Sequence, residues 1–168
     1  MHTIPVTNHL ISTAYRHQDD DDLTPLRIQK LMYFLHGWYM AVTGTALLSE
    51  PFVHGQYGPK LKSLDEALTA YAGIPVDELL NEWHEGEQAM VPYTLDVKTV
   101  PQLAEVTEKV WAKYSRFSTA QLSTMSHGPE SPWARTKDGD NIPNTWIVEE
   151  FVRLGAANRA RTSASAIA

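Results

Sequence analysis

The chain has 168 residues, of which 43% are hydrophobic and 20% charged, the make-up of one globular domain that needs no disulfide or metal staple. Fourteen Lys and Arg against twenty Asp and Glu leave a net charge of -6, which argues against a general grip on nucleic-acid phosphates. The absence of Cys removes disulfide scaffolds, thiol nucleophiles and Cys-type zinc sites together, and suits a reducing compartment.

Met1-His2-Thr3-Ile4-Pro5 shows no basic region with an apolar run behind it, and the apolar run Leu31 to Val42 is too short to span a bilayer. The expectation is a soluble, cytoplasmic protein with no membrane partner. Val6 to Arg16 carries Leu10, Ile11 and Ala14 at loose helical spacing and predicts a short amphipathic helix. Asp19 to Asp22 are four consecutive carboxylates, read as a solvated loop because a bare run lacks the turn spacing that wraps a cation.

The next segment gives the strongest signal. Thr24 is a good N-cap, Pro25 suits the first helical position, and Leu26 to Thr43 runs on without a breaker. Leu31, Leu35, Trp38 and Val42 make one stripe; Leu26, Lys30, Tyr33, Phe34 and Gly37 make a second. With apolar residues round most of its circumference this helix belongs at the centre of the molecule, and Gly44 offers its stop. Gly37 reads as a place where another backbone comes close.

Gly and Pro then punctuate a predicted strand near Phe52 to Gln56, which ends in a tight Tyr57-Gly58-Pro59 turn. Lys60 to Tyr71 reads as helix, and Pro75 as the start of a short helix through Leu79, Leu80 and Trp83. Met90 to Leu95 reads as an edge strand that pairs with the Phe52 strand. Pro101 to Tyr114 keeps a helical period, and Ser118-Thr119-Ala120-Gln121 is a capping box opening a helix through Met125. Ser131-Pro132-Trp133 suggests a very short helix. A last helix after Pro143-Asn144 carries Ile147, Phe151 and Leu154, and residues from Gly155 on read as a disordered tail. The fold class is mainly α: a compact single-domain helical bundle around a central buried helix, with a small β-hairpin or a short two- to three-stranded sheet. The domain spans 1–154 and the tail 155–168.

No cofactor or metal signature stands out. The seven His lack zinc spacing, with no His-Glu-x-x-His, and His36, His54 and His127 read as separate residues. There is no Gly-x-Ser-x-Gly elbow, and Ser126-His127 as sequence neighbours do not make a nucleophile-base pair. Gly55-Gln56-Tyr57-Gly58-Pro59 lacks the Lys-Ser/Thr of a phosphate loop, and its Pro has no N–H to offer. Lys30 on an apolar face has two readings: a stem that covers apolar surface with its head in water, or an ammonium beneath a binding site. Tyr57 and Trp133 also have two, core packing or aromatic anchors for another protein.

Taken in order, Leu23-Thr24-Pro25-Leu26-x-x-Gln29-Lys30-Leu31-x-Tyr33-Phe34, Gly37-Trp38, Glu50-Pro51, Tyr57-Gly58-Pro59, Leu122-Ser123-x-x-Ser126-His127, Ser131-Pro132-Trp133 and Ile142-Pro143 resemble the Panacea domain over about residues 5 to 154. That module is met in bacterial and phage-associated antitoxins. Two stretches depart from the family pattern: His54-Gly55, where an Ala-Trp-like pair is usual, and Lys60, where an aliphatic is usual.

The resemblance implies a mainly helical antitoxin that binds a cognate protein toxin and blocks it by direct contact, with no catalytic residue. The net negative charge suits a basic toxin. The toxin-binding patch expected is Lys30, Tyr33, His54, Tyr57, Lys60, His127 and Trp133. Two alternatives stand beside it. One is an adaptor that delivers the toxin to an ATP-dependent protease; the other is an enzyme using a desolvated Lys30 with His36 or His127.

Overall fold

A computed structural model describes residues 1–17, 23–100 and 102–165, so the Asp19–Asp22 run lies outside the described residues. Six α-helices are found among them: α1 Thr3–Arg16, α2 Pro25–Thr43, α3 Lys62–Ala67, α4 Leu103–Tyr114, α5 Thr119–Ser126 and α6 Asn144–Ser165. Two antiparallel hairpins complete the fold, β1 Val53–Gly55 with β2 Gly58–Lys60, and β3 Asn81–His84 with β4 Ala89–Pro92.

Helix α2 is the axle. Thr24 stands extended before Pro25 and its carbonyl takes the first helical bond from Ile28 N–H at 2.9 Å, although its hydroxyl caps nothing. Gly44 closes the helix in the left-handed conformation, φ 73°. Between them Ile28, Leu31, Met32, Tyr33, Phe34 and Leu35 are all buried, which a helix achieves only when covered from every side. Helices α4, α5, α6 and strand β2 supply that cover. The packing is aromatic on the α4–α6 side. Phe34 stacks on Tyr114 (centroids 4.2 Å apart), and Phe151 of α6 meets Tyr33 and Trp38 edge-on at 5.7 and 5.3 Å. Gly37 makes this possible: a Cβ there would lie 2.2 Å from the Phe151 ring. The close approach expected at Gly37 is therefore made by a side chain, not by a backbone.

The capping box of α5 forms in full, with Ser118 Oγ accepting from Gln121 N–H and Gln121 Oε1 accepting from Ser118 N–H. Four expectations need correction. The second strand does not join the Phe52 region; it closes its own hairpin, with Trp83 opposite Met90. Leu79 to Trp83 is not helical either, because Leu80 spends both backbone groups on the buried Asn8 amide, donating N–H at 2.8 Å and accepting from Nδ2 at 2.8 Å. A short local turn also costs less closure entropy than a pairing across thirty residues or more. Ser131 to Trp133 forms hydrogen-bonded turns and no helix. Finally, α6 does not stop at Leu154 but continues through Gly155 to Ser165. Ala and Arg are good helix formers, and an established helix propagates through them without apolar anchors. No helix among the described residues is long and apolar enough to cross a membrane.

Candidate functional site

The β1–β2 hairpin has a two-residue turn, Gln56-Tyr57, after which Gly58 takes φ 102°. Extended backbone alternates its carbonyls from side to side, and here the carbonyls of alternate residues from Gly55 to Leu61 are held by side chains of α2, of α5 and of Trp133. Trp133 Nε1 donates to Gly55 O at 2.8 Å, Ser123 Oγ of α5 to Tyr57 O at 2.8 Å, and Lys30 Nζ of α2 to Pro59 O at 3.1 Å. Gln29 Nε2 donates to Leu61 O at 3.0 Å while its Oε1 accepts from Leu61 N–H at 2.9 Å. From the far side, His54 N–H donates to Asp140 O at 2.9 Å and accepts at its own carbonyl from Gly139 N–H at 3.2 Å. The turn is thus clamped on both flanks, and Tyr57 at its tip is 59% exposed.

Polar groups crowd the inner side of that turn. A Cβ on Gly58 would lie 3.0 Å from Lys30 Nζ, 3.0 Å from Ser126 Oγ and 3.3 Å from His127 Nδ1. Lys30 is 1% exposed, and burial lowers its pKa to about 8. Ser126 Oγ donates to Ser123 O at 2.9 Å, so it and Lys30 both spend a hydrogen bond on a carbonyl. His127 Nδ1 is buried with no hydrogen-bond partner among the described residues. Trp133 lies between two imidazoles, stacked on His54 at 4.1 Å and tilted against His127 at 5.2 Å. His54 also meets Asp138 Oδ1 through Nδ1 at 3.2 Å. Beside the hairpin runs a groove of about 430 Å³ with Gln29, Lys30 and Gly58 along its base and Tyr57 and Lys60 on its wall. Lys60 is held at its rim by Asp65, 2.7 Å away.

Six of the seven expected residues, Lys30, His54, Tyr57, Lys60, His127 and Trp133, gather round this one hairpin. Tyr33 does not. It is fully buried, packs against Phe52 and Phe151, and donates its hydroxyl to Glu150 Oε2 at 2.9 Å, so it belongs to the core under α6 and not to an outer patch. Burial and the Glu150 carboxylate hold its pKa well above the ordinary phenol value. His36 is also elsewhere, buried between Leu48 N–H and Asn144 Oδ1. Among the described residues no three His, Asp or Glu side chains converge as a metal would require. Sequence reading missed Gln29 and Ser123 as parts of the clamp. The available signal was their polarity on helices that otherwise show apolar faces to the interior.

Residues 28–134 match the family model described as antitoxin SocA-like, Panacea domain. The chain belongs to this family. No curated protein and no solved structure matches it. The matched stretch of the Panacea domain runs from the first turn of α2 to just past Trp133, and so contains every side chain that holds the β1–β2 carbonyls. Helix α6 and the Glu150 that binds Tyr33 lie beyond it. An antitoxin role, with a toxin as partner in general, follows from the family.

Proposed function

We propose that the protein neutralises a cognate protein toxin in the cytoplasm by direct contact, and that the contact surface is the face of the β1–β2 hairpin. The observation that carries this reading is Tyr57: a large aromatic, mostly exposed, on a turn whose backbone is pinned by α2, α5 and Trp133. An exposed aromatic on a rigid mount buries a large area on binding and gives up little conformational freedom. Lys60 and His54 flank it, and the groove at its side offers room for a side chain of the partner. Lys30, His127 and Trp133 act from beneath by fixing the hairpin. Blocking is by occlusion, with the hairpin and groove covering the toxin's working surface and a few residues carrying most of the affinity.

The test is co-expression with the product of the adjacent gene. Growth arrest by that product alone, relieved by this protein, supports the reading; a harmless neighbour counts against it. Tyr57→Ala is expected to abolish rescue and to weaken binding of the purified toxin by about thirtyfold or more, as an interface hot spot does. Its thermal midpoint should stay unchanged. Unimpaired rescue by Tyr57→Ala would remove the hairpin from the interface, and a shortened toxin half-life in place of an inactive complex would indicate delivery to a protease.

A further inference from the structure

The second hairpin, β3–β4, has no role in the site above. Its inner face, with Glu82 opposite Val91, is half-buried; its outer face pairs Trp83 with Met90, and these two are 61% and 58% exposed. Next to Met90 a groove of about 520 Å³ is walled by Ile74, itself 63% exposed, by Ala70 and Leu79, and by the carboxyl-bearing Asp77 and Glu78. It shares no residue with the groove beside Tyr57. Monomeric proteins seldom leave large apolar side chains grouped in this way without a use for them.

Charge decides what covers it. From Ser63 to Val97 the chain carries eight of its twenty Asp and Glu and no Lys or Arg. Asp77, Glu78, Glu85 and Glu87 are exposed, and among the described residues no Lys or Arg pairs with any of them or with Glu82. The field is felt locally: partial burial, with the Glu78 and Asp77 carboxylates behind it, holds the Tyr71 hydroxyl above its ordinary pKa. Such a surface repels nucleic acid and anionic lipid, and it repels a second copy of itself brought face to face.

We propose that the outer face of β3–β4 and its neighbouring groove form a second docking surface, separate from the Tyr57 face, whose occupant is a basic polypeptide segment that seats apolar side chains on Trp83 and Met90 and cations on Asp77 and Glu78 at the groove and on Glu87 at the hairpin turn. The proposal does not depend on the antitoxin reading. Among the described residues neither β3 nor β4 pairs with a further strand, so an extended segment with alternating cationic and apolar residues fits both the pleat and the charge.

The probe is a short synthetic peptide alternating Lys and Leu, with a twin alternating Glu and Leu, titrated with the full chain by fluorescence anisotropy. Three variants are compared with the unchanged protein. The first is Trp83→Ala with Met90→Ala, and the second is Asp77→Asn with Glu78→Gln and Glu87→Gln. The third, removing equal charge elsewhere, is Glu105→Gln with Glu130→Gln and Glu149→Gln. The Lys peptide is expected to bind the unchanged protein, to lose at least about tenfold in affinity on the first two variants and less than about twofold on the third. Substitution at exposed positions leaves folding intact, which a thermal melt confirms. No binding, equal binding to all four proteins, or equal binding of the Glu twin overturns the proposal. So does concentration-dependent self-association that Trp83→Ala abolishes.

Discussion

Two glycines show how single positions carry this structure. At Gly58 the backbone sits at φ 102° with Lys30 Nζ, Ser126 Oγ and His127 Nδ1 packed round the place a Cβ would take. Gly58→Ala therefore meets both backbone strain and a steric clash. It is expected to cost about 1–3 kcal/mol in urea unfolding and to impair neutralisation by shifting Tyr57. At Gly37 the obstacle is the Phe151 ring at 2.2 Å, and the helix is otherwise regular. Gly37→Ala is expected to cost more than about 3 kcal/mol, and Phe151→Leu in the same chain should recover part of that loss, a coupling readable in a double-mutant cycle. The Gly37–Trp38 spacing and the run of apolar residues made the close approach legible. Its source was not, because nothing near position 37 points to a ring 114 residues further along.

At the scale of elements, two buried amide side chains do work that a neighbouring strand would otherwise do. Gln29 pairs with both backbone groups of Leu61; Asn8 pairs with both of Leu80 and also donates to Tyr93 O at 3.0 Å. Each fixes the root of a hairpin, Gln29 that of β1–β2 and Asn8 that of β3–β4. Gln29→Ala leaves two buried backbone groups without partners and is expected to destabilise the fold by about 2–4 kcal/mol, measured by denaturant titration. These bonds also explain what sequence reading missed. Helix α2 and the α5 capping box were legible because local cues alone determine them. Leu79, Leu80 and Trp83 suit a helical period as well as an extended chain, and the choice between the two is made by Asn8, 72 residues away. The site followed the same division. Lys30, Tyr57 and Trp133 announce themselves by residue type, whereas the carbonyl-by-carbonyl clamp that joins them exists only in three dimensions.

At the scale of the whole molecule, the buried His36 ties stability to pH. Its Nδ1 accepts from Leu48 N–H at 3.3 Å, so Nε2 carries the proton and donates to Asn144 Oδ1 at 3.1 Å, a neutral ring. Burial lowers its pKa to about 4 from 6.5. Between those values the unfolded chain binds the proton and the folded one does not, so stability is full above about pH 6.5 and falls as the pH drops toward 4. The fall amounts to about 3 kcal/mol for this one residue. Urea unfolding across that window should show a shallower decline for His36→Gln than for the unchanged protein, and parallel curves would refute the assignment.

Helix α2 is complete by Thr43, yet part of its cover is Phe151 on α6, and Tyr33 within it waits for a bond partner 117 residues downstream. During translation, then, the most apolar stretch of the polypeptide leaves the ribosome long before the segment that shields it. A product broken off short of α6 keeps the Phe151-facing side of that stretch bare, as bait for chaperones and degradative machinery, while a chain that includes α6 hides it. Cellular levels of this protein should therefore respond steeply to any event that stalls synthesis before α6 is made.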